Sequence, residues 1–308
     1  MVERVKIREV GPRDGFQNEP VTIPTADKVR LIEALATAGL KRLEVTSFVR
    51  ADVIPQLADA AEVLARIRVP DDVQLSVLVP NLRGLESALG HRQRFHEVGV
   101  FVSASETHNK RNVNRSIAES MFELERMIPQ VKSENLHCEA VIAVAFGCPY
   151  EGRIGFERVL EIAERLVTAG ADELGFGDTT GMANPRQVRA LFTAAIEALP
   201  GVELTAHFHN TRGQGLANVL AAHDVGIDSF ESSVGELGGC PVPPGSTGNI
   251  ATEDLVSMFH EMGVETGVDL DALLDASRAV QQVLGRPLGS HLLTAGPVVW
   301  EHTPSAHA

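Results

Sequence analysis

The 308-residue chain predicts a (β/α)8 barrel, the TIM-barrel architecture, with extra helices at its C-terminal end. Three observations carry this. Short β-rich runs alternate with helical patterns, and strands separated by helices pair in parallel. Eight such units fit in ~260 residues, the size of a closed barrel. The turn after the first run reads GPRDGFQNE, which lacks the G-x-G-x-x-G spacing that would favour the alternative, a doubly wound open sheet.

The elements follow in order. The first strand is VKIREV at 5–10, and its helix, over about 25–38, carries Leu31, Ile32 and Leu35 on one face and stops at Gly39. RLEVTSF is followed by a helix over 55–67, and QLSVLVP by one over 82–90. After EVGVFVS, the stretch THNKRN with Lys110 and Arg111 reads as a solvated basic turn. The next helix starts near 117, where Ser116 and Glu119 have the spacing of a capping box. HCEAVIAVAFG precedes a helix over 155–169, ADELGFGDT one over 185–198, VELTAHFHN one over 213–225 and DSFESS one over 252–262. VDLDALLDASRAVQQVLG adds one or two helices that pack on the barrel. The expected organisation is a single domain over 1–308, with the barrel at 4–262, appended helices at 265–290 and a loose tail at 300–308.

Composition narrows the function. A net charge of −14 speaks against a nucleic-acid binder, which needs a clustered basic face. It leaves room for an anionic small ligand, because a local site can be positive inside a negative protein. Cys138, Cys148 and Cys240 match no zinc spacing and give no disulfide framework, so a reducing cytoplasm is expected. The charged start MVERVKIREV lacks the apolar core of a signal peptide, and no apolar run reaches the ~20 residues of a membrane span. The extra C-terminal helices suggest an apolar face for a homodimer.

The chemistry centres on HFHN at 207–210. Residues two apart on a strand share a face, so His207 and His209 have Cα atoms ~6.6 Å apart and converge at a strand end, where barrel enzymes place their chemistry. The bland reading is two hydrogen-bonded histidines. Further candidates stand at other strand ends: Arg13 and Asp14 after the first, Glu44 in the second and Asp178 closing the sixth. Cys240 and Asn249 lie in the Gly-rich loop after the eighth. Asp14, the two imidazoles and an amide oxygen from Asn249 form a mixed N/O set suited to Mg2+ or Mn2+. Asp14 equally fits a turn residue paired with Arg13, and Cys240 an inert loop thiol.

Taken together, EVGPRDGFQNE, VTSFV, GCPYEG, GDTTG, HFHNTRGQGLANVL and GELGGCPVPPGSTGNIATEDLV resemble the 3-hydroxy-3-methylglutaryl-CoA lyase family from about residue 4 to 285. The wider group includes isopropylmalate and homocitrate synthases. The resemblance implies a divalent cation, Mg2+ or Mn2+, on Asp14, His207, His209 and Asn249. It implies retro-Claisen cleavage of an acyl-CoA, a small-molecule partner, to acetyl-CoA and acetoacetate, as in leucine degradation. Arg13 would neutralise the enolate oxygen, Cys240 would protonate the enolate carbon, and Asp14 or His207 would take the hydroxyl proton, with Asp14 preferred. Gln17, Glu44, Asp178, Asn81 and Lys110 are placed on the substrate. The alternative is a condensing synthase of the same barrel group, which would share Asp14 and the histidine pair but not need Cys240. Three positions depart from the family's usual text: Asn210 replaces an acid, Arg212 an aromatic and Pro20 a basic residue. These bear on the acyl group, leaving a related 3-hydroxy-3-alkylglutaryl-CoA open.

Overall fold

Alternation along each strand sorts side chains onto two faces. In EVGVFVS, Val98, Val100 and Val102 are fully buried on one face while Glu97 and Gly99 occupy the other. The computed structural model describes residues 3–239 and 248–300, and in it this alternation closes a ring. The strands are β1 (Lys6–Glu9), β2 (Arg42–Ser47), β3 (Gln74–Leu78), β4 (Glu97–Ser103), β5 (His137–Ala143), β6 (Glu173–Asp178), β7 (Glu203–Phe208) and β8 (Ser229–Ser232). They pair in parallel in chain order, and β8 returns to β1 to seal the barrel.

The helices outside are α1 (Thr25–Thr37), α2 (Ala60–Arg66), α3 (Leu82–Leu89), α4 (Glu106–Val113), α5 (Ile117–Ser133), α6 (Phe156–Ala169), α7 (Pro185–Ala198), α8 (Gly215–His223), α9 (Thr252–Glu261), α10 (Leu270–Leu284) and α11 (His291–Ala295). The apolar core lies between strands and helices. Phe176 of β6 meets Phe192 of α7 edge-on at 5.5 Å between ring centroids, and both are fully buried. Burial of each such ring is worth ~1.5–3 kcal/mol. α6 buries Val159, Ile162, Ala163 and Leu166, a helical stripe, and stops at Gly170, whose φ of 108° suits glycine.

The inner face is not apolar. Arg8 reaches Glu97, Glu139, Glu173 and Glu231 on four other strands, which places all five side chains inside the ring. Gly99 and Gly175 leave the room: a Cβ on Gly175 would sit 3.4 Å from a Glu139 oxygen.

Two expectations change. THNKRN is not a turn but lies within α4: the Ser105 hydroxyl caps its start by accepting from His108 N, and Asn114, at φ 57°, ends it. The helix over 55–67 begins as a 3-10 turn, Pro55–Leu57, and becomes α-helical only at Ala60. The capping box at Ser116 and Glu119 is formed, and α10 covers the run expected to be helical after 265. Residues 301–308 of the expected tail lie outside the described residues. Among the described residues no helix is long and apolar enough to cross a membrane.

Candidate active site

The first loop leaves β1 as a π-helical turn, Gly11–Gly15. Gly11 is required there, since a Cβ would lie 2.6 Å from a Glu9 oxygen and 2.8 Å from Val234. The turn lifts Arg13 and Asp14 into the barrel mouth. Asp14 Oδ1 accepts from Arg13 Nη1 at 2.7 Å and from Gln17 Nε2 at 2.8 Å. Its Oδ2 accepts from Asn249 Nδ2 at 2.7 Å. Arg13 Nε donates to Glu44 Oε2 at 2.6 Å, so the guanidinium is held between two carboxylates.

The opposite wall is β7 and its continuation. His207 Nδ1 stands 2.8 Å from Glu231 Oε2, and the two residues are register partners on β7 and β8. A carboxylate there accepts a hydrogen bond from Nδ1–H, which fixes the tautomer that leaves the Nε2 lone pair facing the mouth. His207 Nε2 and His209 Nε2 lie 3.1 Å apart. Two ligands at ~2.1 Å on adjacent octahedral positions are ~3.0 Å apart, so the pair has the spacing of cis ligands. His209 bridges to Asn249 through the backbone, bringing the eighth loop to the same point. Ligand atoms of Asp14, His207 and His209 all lie within 4.8 Å of one another. Asn249 Oδ1 is buried with no hydrogen-bond partner among the described residues. Buried orphaned polar atoms call for a partner. The donor set, carboxylate, two imidazoles and an amide oxygen, fits a hard divalent cation.

Electrostatics agree. Burial works to raise the Asp14 pKa, but the Arg13 guanidinium and the two imidazoles outweigh it and hold the carboxyl below its usual range. Burial and the neighbouring His207 charge push His209 down to about 3, so its imidazole stays neutral. Burial lowers His207, but the Glu231 carboxylate outweighs it and the net shift is upward. Glu44 rises to about 7, driven by burial against the pull of Arg13. Asp178 also rises to about 7 through burial, despite accepting from Met182 N at 2.7 Å and Ala183 N at 3.0 Å on Oδ1. Its Oδ2 has no partner among the described residues.

The structure thus brings together Arg13, Asp14, Gln17, Glu44, His207, His209 and Asn249. Cys240 lies outside the described residues, but Gly238 is packed so closely that a Cβ would meet Asn249 Nδ2 at 2.6 Å and Asp14 Oδ2 at 3.0 Å. Asn81 does not join the cluster: its oxygen caps α3 by accepting from Gly84 N at 2.9 Å. Lys110 and Arg111 line a separate cavity of about 430 Å3 with Thr107, Asn114 and Arg115, and Arg111 lies 4.1 Å over the Tyr150 ring. Asn210 bonds Glu236 and Gly215, and Arg212 donates to the Thr180 and Gly181 carbonyls, both at 2.8 Å. Pro20 is exposed. Sequence reasoning missed Glu231 and Arg8. The available signal was a charged residue at inward register positions of strands read only for their apolar face.

Comparison with known proteins agrees with this geometry. The HMGL-like family model matches residues 4–280. The hydroxymethylglutaryl-CoA lyase YngG of Bacillus subtilis is 45% identical over 291 residues, covering 94% of this chain and 97% of that protein. The (R)-citramalyl-CoA lyase of Chloroflexus aurantiacus is 43% identical over 307 residues, covering 96% of each. An HMG-CoA lyase from Acinetobacter baumannii, solved with coenzyme A and 3-methylmalate, superposes with a TM-score of 0.92 at 40% identity, covering 97% of each chain. With one family matched over nearly its whole length and relatives of more than 40% identity along the same span, this chain belongs to the HMGL-like family.

Proposed function

We propose that the protein is a divalent-cation-dependent carbon–carbon lyase that cleaves 3-hydroxy-3-methylglutaryl-CoA, or a close 3-hydroxy-3-alkylglutaryl-CoA, to acetyl-CoA and a 3-oxo acid. The observation that carries this is the convergence of Asp14, His207, His209 and Asn249 beside Arg13 at the barrel mouth. These four residues would hold the cation, Mg2+ or Mn2+. Bound there, it supplies Lewis acidity that lowers the pKa of the substrate's tertiary hydroxyl.

The protein's own groups do the rest. Arg13, fixed by Glu44 and Asp14, presents its guanidinium to the thioester oxygen as negative charge develops. Asp14, expected from sequence as the base, is a weak one because its neighbours hold its pKa down. Asp178 has a free carboxylate oxygen and a pKa near 7, which suits a base at neutral pH and supports giving it the hydroxyl proton. Cys240, which lies outside the described residues, would protonate the enolate carbon. Gln17 orients Asp14. Lys110 and Arg111 take the CoA phosphates in the α4 cavity. The exposed Val298, Val299 and Trp300 support a homodimer, and the cysteine usage a cytoplasmic location.

The test is incubation of Mn2+-loaded protein with 3-hydroxy-3-methylglutaryl-CoA, longer 3-alkyl homologues and citramalyl-CoA, with products identified by mass spectrometry. Cleavage of the first and its loss with chelator are expected. Absence of acetyl-CoA from every thioester overturns the reading.

A further inference from the structure

Below the two histidines the barrel carries a buried arginine, and we infer that Arg8 is a positioning residue for the cation site, acting on His207 through Glu231. This rests on the cation-binding reading given above. Three adjacent strands set the three residues side by side: Arg8 of β1 pairs with Glu231 of β8, which pairs with His207 of β7. Glu231 is gripped at both ends. Its Oε1 lies 3.2 Å from Arg8 Nη1 and its Oε2 2.8 Å from His207 Nδ1. The carboxylate cannot turn without giving up one partner, so the arginine fixes the carboxylate and the carboxylate fixes the ring and its tautomer.

Arg8 is itself immobile. It is 1% exposed; Nη2 meets Glu97 at 2.5 Å and Glu173 at 3.0 Å, and Nη1 also pairs with Glu139. Without Arg8, Glu97 and Glu173 would still be paired with Arg42, but Glu231 would lose the cation on its Oε1 and its grip on His207 would lose its counterweight. A purely architectural ion cluster would need none of the connection to His207, and that difference is measurable.

The experiment is Mn2+ titration calorimetry on the whole chain, with folding followed by circular dichroism. Wild type, Asp14→Ala, Arg8→Gln, Arg8→Lys, Glu231→Gln and the Arg8→Gln/Glu231→Gln double variant are compared. Arg8→Gln and Glu231→Gln are each expected to weaken Mn2+ binding ~10–100-fold. The double variant should bind no worse than Glu231→Gln alone, and Arg8→Lys, which keeps the charge but not the forked donor, should bind Mn2+ more tightly than Arg8→Gln but less tightly than wild type. Wild-type affinity in Arg8→Gln, or losses that multiply in the double variant, overturns the role of Arg8. If Arg8→Gln does not fold, Arg8→Lys is measured alone and in combination with Glu231→Gln. A loss caused by Arg8→Lys only where Glu231 is intact supports the role, and an equal loss in both backgrounds, or none, overturns it. Failure of the underlying reading looks different: wild type itself then binds no Mn2+ and matches Asp14→Ala.

Discussion

Asp14 and Asn249 are 235 positions apart, yet the Asn249 amide donates to the Asp14 carboxylate at 2.7 Å. Asn249 Oδ1 is left buried and unpartnered among the described residues. The first and last loops of the barrel are thus joined at the point where His207 of β7 and His209 just beyond it converge.

If that point holds a cation, the cation stabilises the fold as well as the chemistry. At a free concentration of 100 times Kd, Mn2+ should raise the unfolding free energy by about 2.7 kcal/mol. Thermal melts with and without Mn2+ check this, and His209→Ala should show no such increment.

Arg13 acts on charge that exists only late in the reaction. Arg13→Gln should lower kcat ~10^2–10^3-fold, with a smaller change in KM. Steady-state kinetics decide the matter, and an effect confined to KM would contradict the role.

Lys110 stands apart from the reacting atoms. Lys110→Ala should raise KM for acyl-CoA with kcat unchanged, the pattern of lost uniform binding. Arg212 is already committed to two carbonyls of the loop after β6. Arg212→Ala is therefore expected to slow cleavage of 3-hydroxy-3-methylglutaryl-CoA and citramalyl-CoA by the same factor. A change in their ratio would show that it reads the acyl group.

Stability should carry a distinct pH signature. Glu253 accepts from Gly235 N with both oxygens, and burial raises its pKa from 4.5 to about 7. Its folded-state pKa thus lies above the unfolded one. Its stabilising contribution is fully present below pH 4.5 and is lost as pH rises through about 7. The loss is on the order of 3 kcal/mol. Glu253→Gln should not share it, so denaturant titrations at pH 5 and pH 8 should show the variant gaining on the wild type with rising pH.

The barrel was legible because its strands are short, its helices are capped or stopped by residues such as Ser116 and Gly170, and its turns lack a dinucleotide fingerprint. The pairing of His207 and His209 was legible because residues two apart at a strand end share a side; Asp14 and Asn249 stand on loops, and only the folded chain brings them together. The charged interior was not legible. Glu97, Glu139, Glu173 and Glu231 lie on four separate strands, and only the ring closure, a long-range property, turns them toward one another and toward Arg8. The helix at Glu106–Val113 was missed because its sequence is almost wholly polar, so no apolar stripe announces it; its cap, Ser105, was the signal to read.

The join between Asp14 and Asn249 bears on how the ring comes apart. β1 and β8 are the one pair of neighbouring strands that do not follow each other along the chain, so no short connection holds their seam. A cation spanning both loops would act as a clasp on it. Stripping the ion should loosen this edge first, and amide hydrogens of Lys6–Glu9 and Ser229–Ser232 should exchange earlier than those of β4 and β5.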